Sequence, residues 1–154
     1  SLLIFVIVIV LSFSSALYCN DLPEMRCPDP DWYEFGDFCY KPFTDQKTWH
    51  AARTSCRKLG ADLVSLLSLK EQITSDMWIG LNDLEIQGYQ WSDGSFVSHT
   101  NWGYGEPNNH EGREDCVEMV TTNNGSSWWN DLNCDAHQDW ICMIPKGKNL
   151  CVLL

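Results

Sequence analysis

Apolar and polar positions fall into distinct regimes along this chain. Leu2 to Leu11 is an unbroken run of aliphatic and aromatic residues, and Ser14-Ser15-Ala16 follows with a small-x-small pattern. This predicts a secretory signal peptide over residues 1–16. No Met or basic segment precedes it, so the chain reads as N-terminally truncated. The apolar run falls short of the roughly 20 residues that cross a bilayer; a type II membrane anchor, lengthened by upstream residues, is the competing reading. Residues 17–26 read as a lead-in, and the Pro-rich stretch closes on the turn signal Cys27-Pro28-Asp29-Pro30. The body begins near Trp32. Trp49, Ala52, Cys56 and Leu59 then recur at three to four residue spacing behind Thr48 and ahead of Gly60, which predicts an amphipathic helix with both stop signals.

Beyond that helix the pattern shortens. Leu63-Val64-Ser65-Leu66 predicts a strand. Ser68 with Glu71 forms a capping box without the apolar periodicity to sustain it, so any second helix is short. The segment between Leu66 and Trp78 is short for a second helix of any length. Trp78-Ile79-Gly80-Leu81, Tyr89-Gln90-Trp91, Cys116 to Val120 and Trp140 to Ile144 predict strands among long loops. Between Asn82 and Asp115, Gly88, Gly94, Gly103, Gly105, Pro107 and Gly112 interrupt regular structure. A long loop of this kind needs a functional reason, and a bound metal orders one.

Composition narrows the class. With 154 residues and 44% apolar content there is enough for one buried core. The net charge of −11 argues against nucleic acid as a partner. Eight cysteines behind a signal peptide imply an oxidising, extracellular compartment and a disulfide framework, although eight cysteines allow 105 pairings and spacing does not choose among them. Asn124-Gly125-Ser126 is an N-glycosylation sequon on a predicted loop.

The candidate chemistry lies between positions 106 and 131. Glu106, Asn108, Glu114, Asn130 and Asp131 are carboxylates and carboxamides interleaved with cysteines and tryptophans. A hard cation such as Ca2+ takes about six to eight oxygen ligands, and this set offers only oxygen. The amides keep an NH2 to donate and the acids keep lone pairs to accept, which suits a vicinal diol. The four histidines have no metal-binding spacing; His110-Glu111 lacks the second His of a zinc-protease helix. Glu114-Asp115 imitates a glycosidase pair, but acids committed to calcium are poor proton donors. These residues describe a binding protein, not an enzyme. Most tryptophans read as core, with Trp129 bordering the ligands.

Several of these marks, in order from Cys27 to Lys146, resemble the C-type lectin-like domain: Cys27 with Cys39, Trp78-Ile79-Gly80-Leu81, Glu106-Pro107-Asn108, Cys116, Trp129-Asn130-Asp131, Cys134 and Cys142. The resemblance implies a domain over residues 27–146 with a tail at 147–154. It implies an α+β, disulfide-stabilised fold in which small antiparallel sheets are flanked by one or two helices and a long calcium-binding loop region. It pairs Cys27 with Cys39, Cys56 with Cys142 and Cys116 with Cys134, leaving Cys19 and Cys151 to pair with each other or to bridge chains in an oligomer.

By the same resemblance the Glu106–Pro107 bond is cis, and Glu106, Asn108, Glu114, Asn130 and Asp131 hold calcium. Asp131 contributes a side-chain oxygen and its backbone carbonyl. Two positions stay open for adjacent sugar hydroxyls, and His110 stands where a family residue packs on the sugar ring. Glu-Pro-Asn implies mannose, fucose or N-acetylglucosamine, so the expected partners are glycans and glycoproteins with terminal mannose-type sugars. A weak auxiliary calcium site would use Asp83, Gln87, Asn109, Glu114 and Asp115. Two alternatives remain open: a protein-binding domain of the same fold, and a fragment of a multi-domain mannose-receptor-like protein.

Overall fold

A computed structural model describes residues 25–65, 75–85 and 88–148. The expected signal peptide, the Ser68–Glu71 capping box, Gln87, Cys19 and Cys151 lie outside the described residues. So does Leu66 at the end of the predicted 63–66 strand.

The predicted helix is α1, Trp49–Lys58. Thr48 has extended backbone and its Oγ1 accepts the N–H of Ala51 at 3.3 Å, while Arg57 and Lys58 occupy the last turn, where they complement the helix dipole. Gly60 takes φ +75°, the left-handed conformation that ends helices with least strain. Trp49, Ala52 and Cys56 are buried. Leu59 is not part of the buried stripe: it is the C-cap and is exposed.

The strands are β1 (Met25–Arg26), β2 (Tyr33–Phe35), β3 (Phe38–Lys47), β4 (Asp62–Leu63), β5 (Met77–Asn82), β6 (Gln90–Trp91), β7 (Cys116–Thr121), β8 (Ser127–Leu132), β9 (Gln138–Pro145) and β10 (Gly147–Lys148). Among the described residues, eight of them form one sheet in the order β2-β3-β9-β5-β7-β8, with β4 on β9 and β6 on β5. All its pairings are antiparallel except β5 with β9, so the sheet is mixed. β1 pairs with β10, which joins the segment read as lead-in to the segment read as tail.

β5 is buried along its whole length because both faces are covered. Met77, Ile79 and Leu81 enter one apolar cluster with Val117, Met119, Ile141, Met143, Trp91 and Trp129. Trp78 turns the other way, into a cluster with Trp49, Leu63, Trp140 and the buried cysteines. The two-residue alternation of strand side chains thus divides the core into two packed layers, in which each fully buried Leu or Ile contributes about 1.5–3 kcal/mol. Large aromatic side chains enter these layers without orphaned polar groups where their indole N–H reaches a carbonyl: Trp49 Nε1 donates to Ile79 O (2.8 Å), Trp78 Nε1 to Lys47 O (2.8 Å) and Trp140 Nε1 to Asp45 O (2.9 Å).

Among the described residues, three disulfides join Cys27 to Cys39, Cys56 to Cys142 and Cys116 to Cys134, the pairs that the resemblance implies. The second ties α1 to β9. The third ties the start of β7 to the turn after β8, beside the candidate site.

Candidate functional site

Strand β8 carries Asn130 and Asp131, and its register on β7 sets Asn130 opposite Glu118 and Asp131 opposite Val117. Neighbouring side chains leave a strand on opposite faces. Asn130 therefore meets Glu118, its Nδ2 donating to Glu118 Oε1 at 3.0 Å. Asp131 emerges on the other side, where it is wholly buried.

A buried carboxylate needs donors, and Asp131 has three. Oδ1 accepts the backbone N–H of Asn108 at 3.0 Å; Oδ2 accepts that of Asn109 at 2.7 Å and the Tyr89 hydroxyl at 3.3 Å. These bonds tie the 106–114 loop to β8. The same loop is anchored upstream, where Gly103 N donates to Trp129 O (2.9 Å) and Trp129 N to Asn101 O (2.7 Å). A turn follows at once: Glu106 N donates to Gly103 O (3.0 Å), with Gly105 at φ +86°. Gly103 is required there because an added Cβ would stand 2.6 Å from Trp128 Cδ1.

Within the loop the Glu106–Pro107 bond is cis, and Asn108 Nδ2 donates to Glu106 Oε2 at 2.7 Å. Asn109 and Glu111 adopt left-handed backbone around the short 3-10 turn His110–Gly112. Asn109 Oδ1 accepts Glu114 N (3.2 Å), and Glu114 Oε2 accepts His110 N (2.8 Å). His110 itself is exposed, its Nε2 3.9 Å from Glu111 Oε1.

Of the five predicted ligands, the structure joins Glu106 to Asn108 directly and links Asp131 to the backbone of Asn108. Glu114 belongs to the same loop through His110 and Asn109, and Asn130 is bonded to Glu118 instead of to any of the other four. The Asp131 side chain, expected to face an ion, accepts two loop N–H groups and a hydroxyl. Trp129, expected to border the ligands, is buried in the core edge-on to Trp91 and Trp102, and meets the loop through its backbone bonds to Asn101 and Gly103. Of the auxiliary set, Asp83 N donates to Asp115 O at 2.8 Å, Asn109 Oδ1 is taken by Glu114 N, and Gln87 lies outside the described residues.

Two residues that the sequence marks only as parts of strands, Tyr89 and Glu118, belong to this region. Burial, and then the charge of Asp131 and its hydrogen bond, with the charges of Asp83 and Asp115 adding, raise the pKa of Tyr89. The hydroxyl therefore stays protonated as a donor. Burial also raises the pKa of Glu118, against the hydrogen bonds from Asn130 and Gln138 that lower it. The only sequence signal for Glu118 is an acid in the middle of the apolar run Cys116 to Val120.

The donor chemistry suits a hard cation. Glu106 and Glu114 are carboxylates whose hydrogen bonds each occupy one oxygen, and Asn108 and Asn130 each use one N–H of the NH2 group on an acid, keeping the second N–H and the carbonyl oxygen. Among the described residues, no three His, Cys, Asp or Glu side chains alone gather as a metal cluster; the set depends on its amides. No helix among them is long and apolar enough to cross a membrane.

Residues 45–144 match the Lectin C-type domain family. The chain is 40% identical over 143 residues to the mouse low affinity immunoglobulin epsilon Fc receptor, an alignment covering 87% of this chain and 40% of the receptor. Its fold matches the crystal structure of the cow C-type carbohydrate-recognition domain of CD23 in the presence of GlcNAc2Man3 oligosaccharide, with TM-score 0.72, 34% identity and coverage of 80% of this chain and 99% of that one. A calcium-independent type II antifreeze protein is similar to the same degree in fold, with TM-score 0.72, at 26% identity over 80% of this chain and 98% of that one. The chain spans well under half the length of the curated relatives it matches. On the match over 45–144 and on the architecture described above, this chain belongs to the C-type lectin domain family, a family of binding modules.

Proposed function

We propose that the 106–131 region is a calcium-dependent glycan-binding site for mannose, fucose or N-acetylglucosamine type sugars, and that the protein is an extracellular lectin with no enzymatic activity. The observation that carries this reading is the pair of hydrogen bonds from the Asn108 and Asn109 backbone to Asp131. They bring the Glu106-Pro107-Asn108 loop and the Asn130-Asp131 strand, distant in sequence, to one place. Glu106, Asn108, Glu114 and Asn130 supply side-chain oxygens, and Asp131 supplies its carbonyl and the carboxylate that also braces the loop. Bound calcium would offer coordination positions that vicinal hydroxyls can fill. Glu106 and Glu114 then accept from those hydroxyls while Asn108 and Asn130 donate, and His110 stands beside the ring. The similar cow domain was crystallised in the presence of a mannose-containing oligosaccharide, which supports the sugar class.

The disulfide framework supports an oxidising compartment, and Asn124, exposed on the turn between β7 and β8, is the proposed glycan acceptor. Single-site affinity is expected to be weak, so clustering, with Cys19 or Cys151 as candidate bridges, would supply avidity. Asp83 and Asp115 with Asn109 remain the proposed auxiliary calcium position, of low affinity.

The test is retention on mannose-agarose with and without chelator, alongside calcium titration followed by tryptophan fluorescence. Retention that needs calcium supports the reading; retention indifferent to chelator overturns it. Exchanging acid and amide at Glu106 and Asn108 (E106Q with N108D) should move preference toward galactose, read on a glycan array.

A further inference from the structure

We propose that Glu118 is a positioning residue for the cation site: it holds the carboxamide of Asn130 by its nitrogen, so that the carbonyl oxygen is the group presented to the ion. The inference rests on the calcium reading above. Glu118 and Asn130 are direct partners in the β7–β8 register, and the Nδ2 to Oε1 distance is 3.0 Å. Gln138, at the start of β9, donates its Nε2 to the other carboxylate oxygen. Glu118 is 5% exposed, so water does not compete for either oxygen.

An amide side chain is nearly symmetric in shape, and its last torsion is broad and roughly two-fold. Left alone, Asn130 would present NH2 as readily as C=O, and an NH2 aimed at a cation repels it. A carboxylate accepts hydrogen bonds and donates none, so it permits one of the two orientations. Both strands are regular here, which fixes the separation of the pair, and Gln138 keeps the carboxylate from rotating away. An apolar residue would fill the same strand position without the cost of burying a charge. The acceptor is what Glu118 adds. Residues that orient metal ligands from behind alter affinity by about 10–100-fold when removed.

The experiment compares the parent protein with E118L, E118Q and E118M. Glutamine keeps an acceptor for Asn130 once the Gln138 carboxamide turns over to offer its oxygen to the new NH2, whereas leucine fills the space and removes the acceptor. Calcium affinity should fall about tenfold in E118L and stay near the parent's in E118Q, while the melting temperature in chelator stays level in both. Were Glu118 only a filler of space, leucine would replace it with calcium affinity and the Asn130 amide signal both unchanged. In the calcium-free state, NMR should show slow exchange of the Asn130 side-chain amide protons in the parent and E118Q, and fast exchange in E118L. E118M provides a second apolar replacement if E118L folds poorly. Equal calcium affinity in the parent, E118L and E118M, or an Asn130 amide signal unaltered by the apolar variants, overturns the proposal. A parent that takes up no calcium overturns the functional reading instead, and the calcium-free Asn130 amide signal then still decides whether Glu118 holds it.

Discussion

The α1–β9 half of this domain and the 106–114 loop are ordered by opposite means. Around α1, order comes from burial: Trp49, Cys56, Trp78, Trp140 and Cys142 are all at most 3% exposed, and the Cys56–Cys142 bridge spans 86 positions. The loop buries no apolar side chain between Glu106 and Glu114. It is held by N–H groups pointed at oxygen, chiefly those of Asn108 and Asn109 on Asp131. Non-directional burial tolerates small shifts, whereas a polar brace works only while each donor meets its acceptor. The two halves should therefore fail differently, the first by loss of the fold and the second by loss of the site with the fold retained.

The largest effect should come from the first half. Replacing Cys56 and Cys142 together by Ala should cost about 4 kcal/mol from the long closed loop, seen as a large fall in the urea midpoint and, secondarily, in sugar binding. Asp131→Asn addresses the second half. An amide offers one acceptor to two N–H groups and turns its own NH2 toward one of them, leaving a buried donor unpaired at about 1–3 kcal/mol. Mannose-agarose retention should disappear while the chain remains folded by circular dichroism. A smaller effect is expected for Gly103→Ala, at about 1–2 kcal/mol of overpacking against Trp128. Its consequence should be weaker calcium uptake by fluorescence titration, because the displaced turn leads directly into Glu106.

The smallest lies far from the site. Lys146 Nζ stands 3.1 Å from Glu34 Oε2, and its hydrogen bond, ahead of the other contributions, lowers the Glu34 pKa from 4.5. A carboxylate with a lowered folded pKa stabilises above its ordinary value and loses that contribution as pH falls through the folded one. The melting difference between the parent and Lys146→Ala should be slight at neutral pH and vanish on acidification. If Gly103→Ala altered stability as much as the cysteine pair, or if the cysteine pair abolished calcium uptake without lowering stability, the contrast between the halves would not hold.

The same contrast governs what the sequence makes legible. Helix α1 was readable because its cap, stripe and terminal glycine are local signals, although Leu59 extended the stripe one residue too far. Strands β5, β7 and β9 were readable as apolar runs. The ten-residue β3 was not, because Cys39 is its one buried side chain and Pro42 interrupts it; pairing with β9 makes it a strand. Strand β8 was missed for a related reason: Asn130 and Asp131 interrupt its apolar pattern, yet the ladder to β7 holds them extended. This bears on the site as well. Residue types alone pointed to oxygen donors at positions 106 to 131, but not to Glu118 behind Asn130 or Tyr89 behind Asp131. Those partnerships are created by strand register, and register is a property of the paired strands.

The β1–β10 ribbon has a consequence of its own. Because Met25–Arg26 lies antiparallel to Gly147–Lys148, the incoming and outgoing backbone run alongside one another at the Pro145 end of β9. Gln138, which reaches the Glu118–Asn130 pair, is at the other end, about 25 Å away for a strand of this length. A module wired in this way can be inserted into a longer polypeptide while hardly changing the spacing of its neighbours, and copies strung along such a polypeptide would each hold the end that carries the Glu118–Asn130 pair clear of the stem.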